Sequence, residues 1–315
     1  MNSKQKNRKI GIIGYESELS KELLKSLENS SEPNIDYTFY DYNAKEEFSI
    51  VGSFKGESTV IKFPEIDSLI KNDIIIIASE FHDIKEFSKR YKGILIDITD
   101  SLNKYDYLYN EDKEADYENI KTIKIPSASS FIIYKILKPI QDNFGLEYIN
   151  STIMFPVSIK EGGVKELLSQ TIDTLNVKSV KPEVFSNPVA FSFSEIDSGK
   201  EEIISNELQI LLDNKNIRIT GFLAPIFHSI SFFMFIKSKK PVQKDILKYS
   251  YDIMNLFNLT DKKVIPPQKA AEQDKILISD IKYFNKTEFF INAAADNYKT
   301  AIFNSVIKLL KKILE

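Results

Sequence analysis

The first third of the chain alternates short apolar runs with stretches of helical spacing. Lys9-Ile10-Gly11-Ile12-Ile13-Gly14 is apolar, brief and closed by glycine, which predicts a buried strand. Leu19, Leu23, Leu24 and Leu27 then fall on one helical face, with Glu18, Lys21, Glu22 and Lys25 largely outside it. Further strands are predicted over Tyr37–Tyr42, Asp73–Ser79 and Gly93–Ile98, the last two separated by a helical stretch, Asp83–Tyr91. Strand, helix, strand in this rhythm predicts an α/β unit with a parallel, doubly wound, Rossmann-like sheet. The acidic, tyrosine-rich stretch Asn103–Asn119 has little periodicity and reads as a surface excursion.

Beyond Ser130 the texture changes. Helices are predicted over Phe131–Asn143, Val164–Leu175, Lys200–Asn214 and Pro241–Phe257. Strands are predicted over Tyr148–Val157, Ile217–Ile226, Ser231–Ile236, Lys275–Tyr283 and Thr287–Ala294. Longer strands with fewer crossovers imply a mixed sheet with helices on one face, an α+β domain. A final amphipathic helix, Tyr298–Leu314, follows Asn297, which suits its N-cap.

Composition narrows the function classes. With 315 residues, 43% hydrophobic and 28% charged, the chain is long enough for a large core and two domains. The net charge is −3 with both signs interspersed, so no basic stripe points to nucleic acid. Nothing approaches membrane-spanning length, and Met1–Lys9 is polar and basic with no apolar segment of a leader after it. There is no cysteine, hence neither disulfides nor thiolate ligands, and the two histidines are too few and too distant for a metal set. A cytoplasmic protein is expected, with no membrane partner.

Several blocks in order carry a resemblance. Ala128-Ser129-Ser130, followed by Ile136-Leu137-Lys138-Pro139-Ile140, matches without a gap Asn-Pro-Asn-Cys-Ser-Thr and then a helix ending in Leu-Lys-Pro-Leu. Phe185–Phe191 is similar to a segment ending in Ile/Leu-Ala-Phe-Asn, and Ala224-Pro225-Ile226-Phe227 to the Pro-Val-Phe before a catalytic histidine. Pro266-Pro267-Gln268 and Ala295-Asp296-Asn297 match later landmarks. On these blocks the chain resembles the aspartate-semialdehyde dehydrogenase family, and within it the Usg branch, whose members lack the catalytic residues. The resemblance implies a Rossmann-like NAD(P)-binding-type domain, 1–127 with 297–315, and a dimerisation domain, 128–296.

In that family a thiol attacks the substrate, a histidine moves protons, a glutamine orients the acyl group, two arginines hold anions, and NADPH supplies hydride. By alignment the thiol position is Ala128, the glutamine position Phe155, the histidine position Ile230 and one arginine position Asn103. An alanine methyl cannot form the covalent intermediate. Ser127, Ser129 and Ser130 are nearby hydroxyls, better suited to capping the next helix than to nucleophilic attack. His228 falls two positions early. On a strand that keeps the face but shifts the side chain by about 6.6 Å. It is a candidate substitute base, a satisfied core or interface histidine being the plainer reading. Beyond residue 10 the arginines are Arg90 and Arg218, neither at a matching site. Glu161-Gly162-Gly163 resembles a family anion loop, a simple turn and helix start being the preferred reading.

The dinucleotide loop of the family, Gly-Ala-Thr-Gly-Ala-Val-Gly, corresponds to Gly14-Tyr15-Glu16-Ser17-Glu18-Leu19-Ser20. Gly14 survives; Ser17 and Ser20 replace the glycines for phosphate approach and helix packing. Glu16 and Glu18 place carboxylates where a helix N-terminus would attract phosphate, or simply stabilise the helix start. No cofactor is expected, NADP being the one implied if any binds. The leading expectation is a catalytically inactive homologue acting as a homodimer, as a heterodimer with a paralogue, or with another partner. The alternatives are a semialdehyde oxidoreductase with non-thiol chemistry through His228 and the serines, or a sensor of an amino-acid-like metabolite. A cleft filled by Phe155, Ile230 and Tyr15 would favour the first, and an open polar pocket facing His228 the others.

Overall fold

The computed structural model describes residues 7–30, 35–45, 49–102, 104–299 and 302–314. The chain forms two compact units, Met1–Ser127 with Ile302–Glu315, and Ala128–Ala301. The first contains β1 (Arg8–Ile13), α1 (Glu18–Glu28), β2 (Ile35–Tyr40), β3 (Ile50–Phe54), β4 (Glu57–Lys62), α2 (Ile66–Leu69), β5 (Ile74–Ile77), α3 (Ile84–Arg90), β6 (Ile94–Asp97), β7 (Tyr107–Leu108) and β8 (Thr122–Lys124). They make one sheet in the order β3-β4-β2-β1-β5-β6-β8-β7, parallel throughout except for the β3–β4 pair. Strands covered on both faces read as unbroken apolar runs. Accordingly Ile10, Ile12, Ile13 and the four isoleucines of β5 are buried at the sheet centre. Ser17 caps α1 by accepting the Ser20 N–H, and α1 buries Leu23, Leu24 and Leu27.

Two features depart from the expected pattern. The β3–β4 hairpin lies in a region without a clear sequence signal. Its turn is Lys55-Gly56 with φ of +53° and +76°, the positive pair that matches strand twist in a two-residue hairpin. The tyrosine-rich stretch is not all surface either. Its acidic side chains mask a short edge strand, β7, and Leu108, Tyr109 and Asn110 turn inward and are buried.

The second unit contains α4 (Ala128–Phe144), β9 (Leu146–Phe155), α5 (Gly163–Leu175), α6 (Lys200–Leu212), β10 (Ile217–Leu223), β11 (Ile230–Ser238), α7 (Lys244–Met254), β12 (Phe257–Leu259), β13 (Ile276–Ile278), β14 (Lys282–Tyr283) and β15 (Glu288–Ala295). The sheet is mixed, β10-β9-β11-β15-β13-β12, with β14 on β15. The predicted strand Lys275–Tyr283 is therefore two pieces, because the chain leaves the ladder where Asp280 N–H turns to Lys262 O. On β11, Phe232, Met234 and Ile236 are fully buried, while Phe233 and Phe235 on the opposite face are partly exposed. Helices α4, α6 and α7 contact the strands. Pro139 inside α4 lacks the N–H that would reach Lys135 O. The Tyr251 hydroxyl donates to the adjacent Ile136 carbonyl at 2.9 Å.

The chain then returns to the first unit through α8 (Ile302–Leu314), which packs on α1. Asn297 lies in the turn before it. Residues 296–299 turn around the Asp296 carboxylate, which accepts the N–H groups of Tyr298 and Lys299, and Asn297 Oδ1 accepts the Ser229 N–H at 3.4 Å.

Burial raises the pKa of several tyrosines, Tyr91 and Tyr251 most strongly, and pushes Tyr117 up to about 12. A folded value above the unfolded one contributes stability that is complete below about pH 10 and lost as pH rises through the folded value. Absorbance titration at about 295 nm should therefore show a tyrosine fraction that ionises only as the fold is lost in alkali. In urea-unfolded protein all tyrosines should titrate together near pH 10. Coincident native and unfolded curves would contradict the burial described.

Candidate functional site

Topology gathers the aligned positions of the second unit at one end of its sheet. The 17 residues of α4 span about 25 Å, Gly145 turns the chain with φ of +70°, and β9 runs back along the helix. The start of α4 thus lies toward the Phe155 end of β9. β11 runs antiparallel to both β9 and β15, so Ile230 starts at the same end, paired with Ala295.

The side chains there are apolar and buried. Phe155 is 1% exposed and Ile230 2%. The Phe155 ring packs under Gly221, where a Cβ would stand 2.8 Å from it, and Lys200 Nζ lies 5.5 Å from its centroid. Ala128 is half-buried, Ser129 and Ser130 are buried within the first turn of α4, and Ser127 immediately precedes the helix. His228 corrects the sequence expectation: it is neither on a strand nor in a core. It is exposed on the loop between β10 and β11, so the argument from strand faces does not apply. A cavity of about 550 Å³ lies in this unit, lined by Lys160, Phe185, Glu195, Asp197 and Glu201 among others, and His228 is not part of it.

The same end holds residues with no sequence signal. Val157 and Ser158 N–H groups donate to Ile226 and Phe227 carbonyls, and the Tyr298 hydroxyl donates to Ser158 O at 2.6 Å. Ser229 is completely buried at φ of +77°, and its hydroxyl has no hydrogen-bond partner among the described residues. A positive φ at a non-glycine residue is visible only in coordinates.

In the first unit, Gly14 has φ of +92°, and a Cβ on it would stand 2.3 Å from Ser79 Cβ. Glycine is thus required by close approach of two chains. Ser17 Oγ also donates to Ala78 O at 2.8 Å, and Ser20 is buried at the helix start. Glu18 pairs with Lys21 at 2.6 Å, and Glu16 Oε2 accepts from Asn43 Nδ2 at 2.7 Å. Tyr15 reaches the main chain of Ser53. His82 is exposed, its ring 4.7 Å from that of Tyr42, and Glu80 is exposed beside it. Arg90 pairs with Asp67 at 2.5 Å, and Arg218 donates to the Ile217 carbonyl at 3.1 Å. Asn103 lies outside the described residues.

The chain is 23% identical over 340 residues to an aspartate-semialdehyde dehydrogenase of Campylobacter jejuni, covering 98% of each chain. It is 28% identical over 128 residues to a USG-1 protein homolog of Pseudomonas aeruginosa, covering 37% of this chain and 38% of that one. The crystal structure of aspartate semialdehyde dehydrogenase II from Vibrio cholerae complexed with ASA superposes with a TM-score of 0.84 at 20% identity, over 98% of this chain and 99% of that one. The chain resembles the aspartate-semialdehyde dehydrogenase family. No protein-family model matches it.

Of the aligned positions in the second unit, Phe155 and Ile230 are buried hydrocarbon and Ala128 is half-buried. Glu161-Gly162-Gly163 is a turn and helix start: Gly162 has φ of +78°, and a Cβ on Gly163 would stand 2.1 Å from Val157 O. Ser229 is one of several non-glycine residues of the second unit at positive φ, and it is completely buried. Replacing Ser229 by glycine removes the strain of that φ and the unpartnered hydroxyl together, and should stabilise the protein by about 1 kcal/mol. Thermal unfolding of Ser229→Gly beside the parent measures this. Destabilisation would show that the hydroxyl has a role in the folded state.

Proposed function

We propose that this chain is a dehydrogenase-like protein without dehydrogenase activity, acting through association with a second copy or a partner. The observation that carries the reading is the set Ala128, Phe155 and Ile230 at one end of the second sheet, two of them buried hydrocarbon. Nucleophile, orienting amide and base act as a unit in such chemistry, so losing any one already costs most of the rate, and here all three are replaced. The exposed loop position of His228 offers no base held against a reacting group.

The first unit supports the same reading. An amide of the β1–α1 loop is engaged by a carboxylate of the chain, and Glu16 and Glu18 stand at the helix start. A pyrophosphate would meet like charge in place of free N–H donors. These residues do not fit NADP, and no step is derived through it.

Association is supported by the open face of the second sheet. Phe233 and Phe235 of β11 lie beside Thr152 and Asn150 of β9, with Phe290 opposite Phe235 on β15 and Phe222 of β10 opposite Met154. Phe193, 63% exposed, stands edge-on to Phe222 at 5.1 Å, and Phe284, 51% exposed, packs at 5.8 Å from Phe235. An aromatic sheet face of this extent fits an isologous contact burying about 2,000 Å² or more.

Two measurements test the reading. Purified protein given aspartate semialdehyde, phosphate and NADP should show no turnover above a buffer blank, and Ala128→Cys alone should not restore it. Turnover by the parent would end the non-catalytic reading. Sedimentation at micromolar concentration should give a dimer of the 36.2 kDa chain, whereas a clean monomer would remove self-association.

A further inference from the structure

In doubly wound sheets the amides of the loop after the first strand are ordinarily left for a ligand's phosphate. Here they are used internally. Gly14 and Tyr15 N–H groups both donate to the Tyr40 carbonyl, at 2.8 and 3.1 Å, and Ser17 N–H donates to Gly14 O at 3.0 Å. Ser20 N–H donates to Ser17 Oγ at 3.0 Å. Glu16 N–H donates to Asp41 Oδ2 at 2.9 Å, and the other oxygen of that carboxylate accepts the Asn43 N–H at 2.9 Å. Asp41 is only 6% exposed, so these charge-assisted bonds form largely out of water, where they are strongest.

A second clasp sits one residue away. The Tyr15 hydroxyl donates to Ser53 O at 2.9 Å and accepts Ser53 N–H at 3.0 Å. Ser53 belongs to β3, an edge strand whose neighbour in the sheet is β4. Tyr15 therefore gives this edge residue the donor and acceptor that a further strand would supply. The ring lies edge-on to Phe39 at 5.4 Å and uses the space over Gly52, where a Cβ would stand 2.4 Å from the phenol oxygen. Consecutive loop residues are thus tied to the end of β2 and to the edge of the sheet.

We infer that Asp41 and Tyr15 form an internal latch that orders the β1–α1 loop as a bound dinucleotide would, and keeps that loop closed to one. The latch belongs to the first unit and holds whether or not the chain self-associates through the second.

Amide exchange on the full chain tests it, with and without NADP or NAD at about 1 mM, far above the affinity of a working dinucleotide site. The Glu16 and Ser53 amides should be protected without ligand and unchanged with either nucleotide. Tyr15→Phe should speed Ser53 exchange about tenfold or more and leave Glu16 protected, while Asp41→Ala should do the reverse. Gly52→Ala, which drives a methyl into the phenol, provides a second route to loss of Ser53 protection. Fast exchange of both amides in the parent would overturn the inference. So would a nucleotide-dependent change at Glu16, or variants in which neither amide responds.

Discussion

The packing of α4 along β9 and β11 sets the geometry of the second unit. Residues 131 to 137 of α4 are buried in succession, more than one apolar stripe would require, so the helix is enclosed rather than laid on a surface. Hydrocarbon of that extent fixes a helix in position without directional bonds. With Gly145 returning the chain into β9, the start of α4 is held at the end of the sheet where β11 begins. That placement follows from the burial of residues 131 to 137 and does not depend on the identity of residue 128.

The two regions aligned with family sites are packed by different physical means. In the second unit, phenylalanine and isoleucine fill the aligned positions and exclude water by dispersion and hydrophobic burial. In the first unit the groups remain polar, but their donors and acceptors are paired within the chain. Filling with hydrocarbon leaves no polar group waiting for a ligand. Internal pairing leaves a ligand in competition with a carboxylate held at fixed distance.

The order of elements was legible because periodicity and burial agree. The isoleucines of β1 and β5, the leucine face of α1 and the alternation in β11 each have one structural solution. The β3–β4 hairpin was not legible, since Lys55 at positive φ lacks the Asn-Gly or Asp-Gly signature of such turns. Nor was β7, hidden among acidic residues that remain at the surface. Within the candidate sites, alignment with the family located Ala128, Phe155 and Ile230, yet no pattern marked Ser229, whose distinction is a backbone angle. For His228, a strand's spacing was applied to a residue that lies exposed on the loop before β11, an exposure the sequence does not mark. The role of Asp41 could not be read either, since an acid after the second strand usually addresses a ribose rather than its own loop.

The return of the chain through α8 bears on how the protein comes off the ribosome. Domains generally fold in order of synthesis, the N-terminal one first. Here the first unit includes the 13 residues of α8, which pack on α1 and are made last, whereas the second unit is continuous in the chain. At about 5–20 residues per second, the 174 residues of the second unit take roughly 10–30 s to emerge. Throughout that interval α1 lacks its contact with α8. The first unit therefore gains its α8 only after the whole second unit has been made, although its sequence begins first.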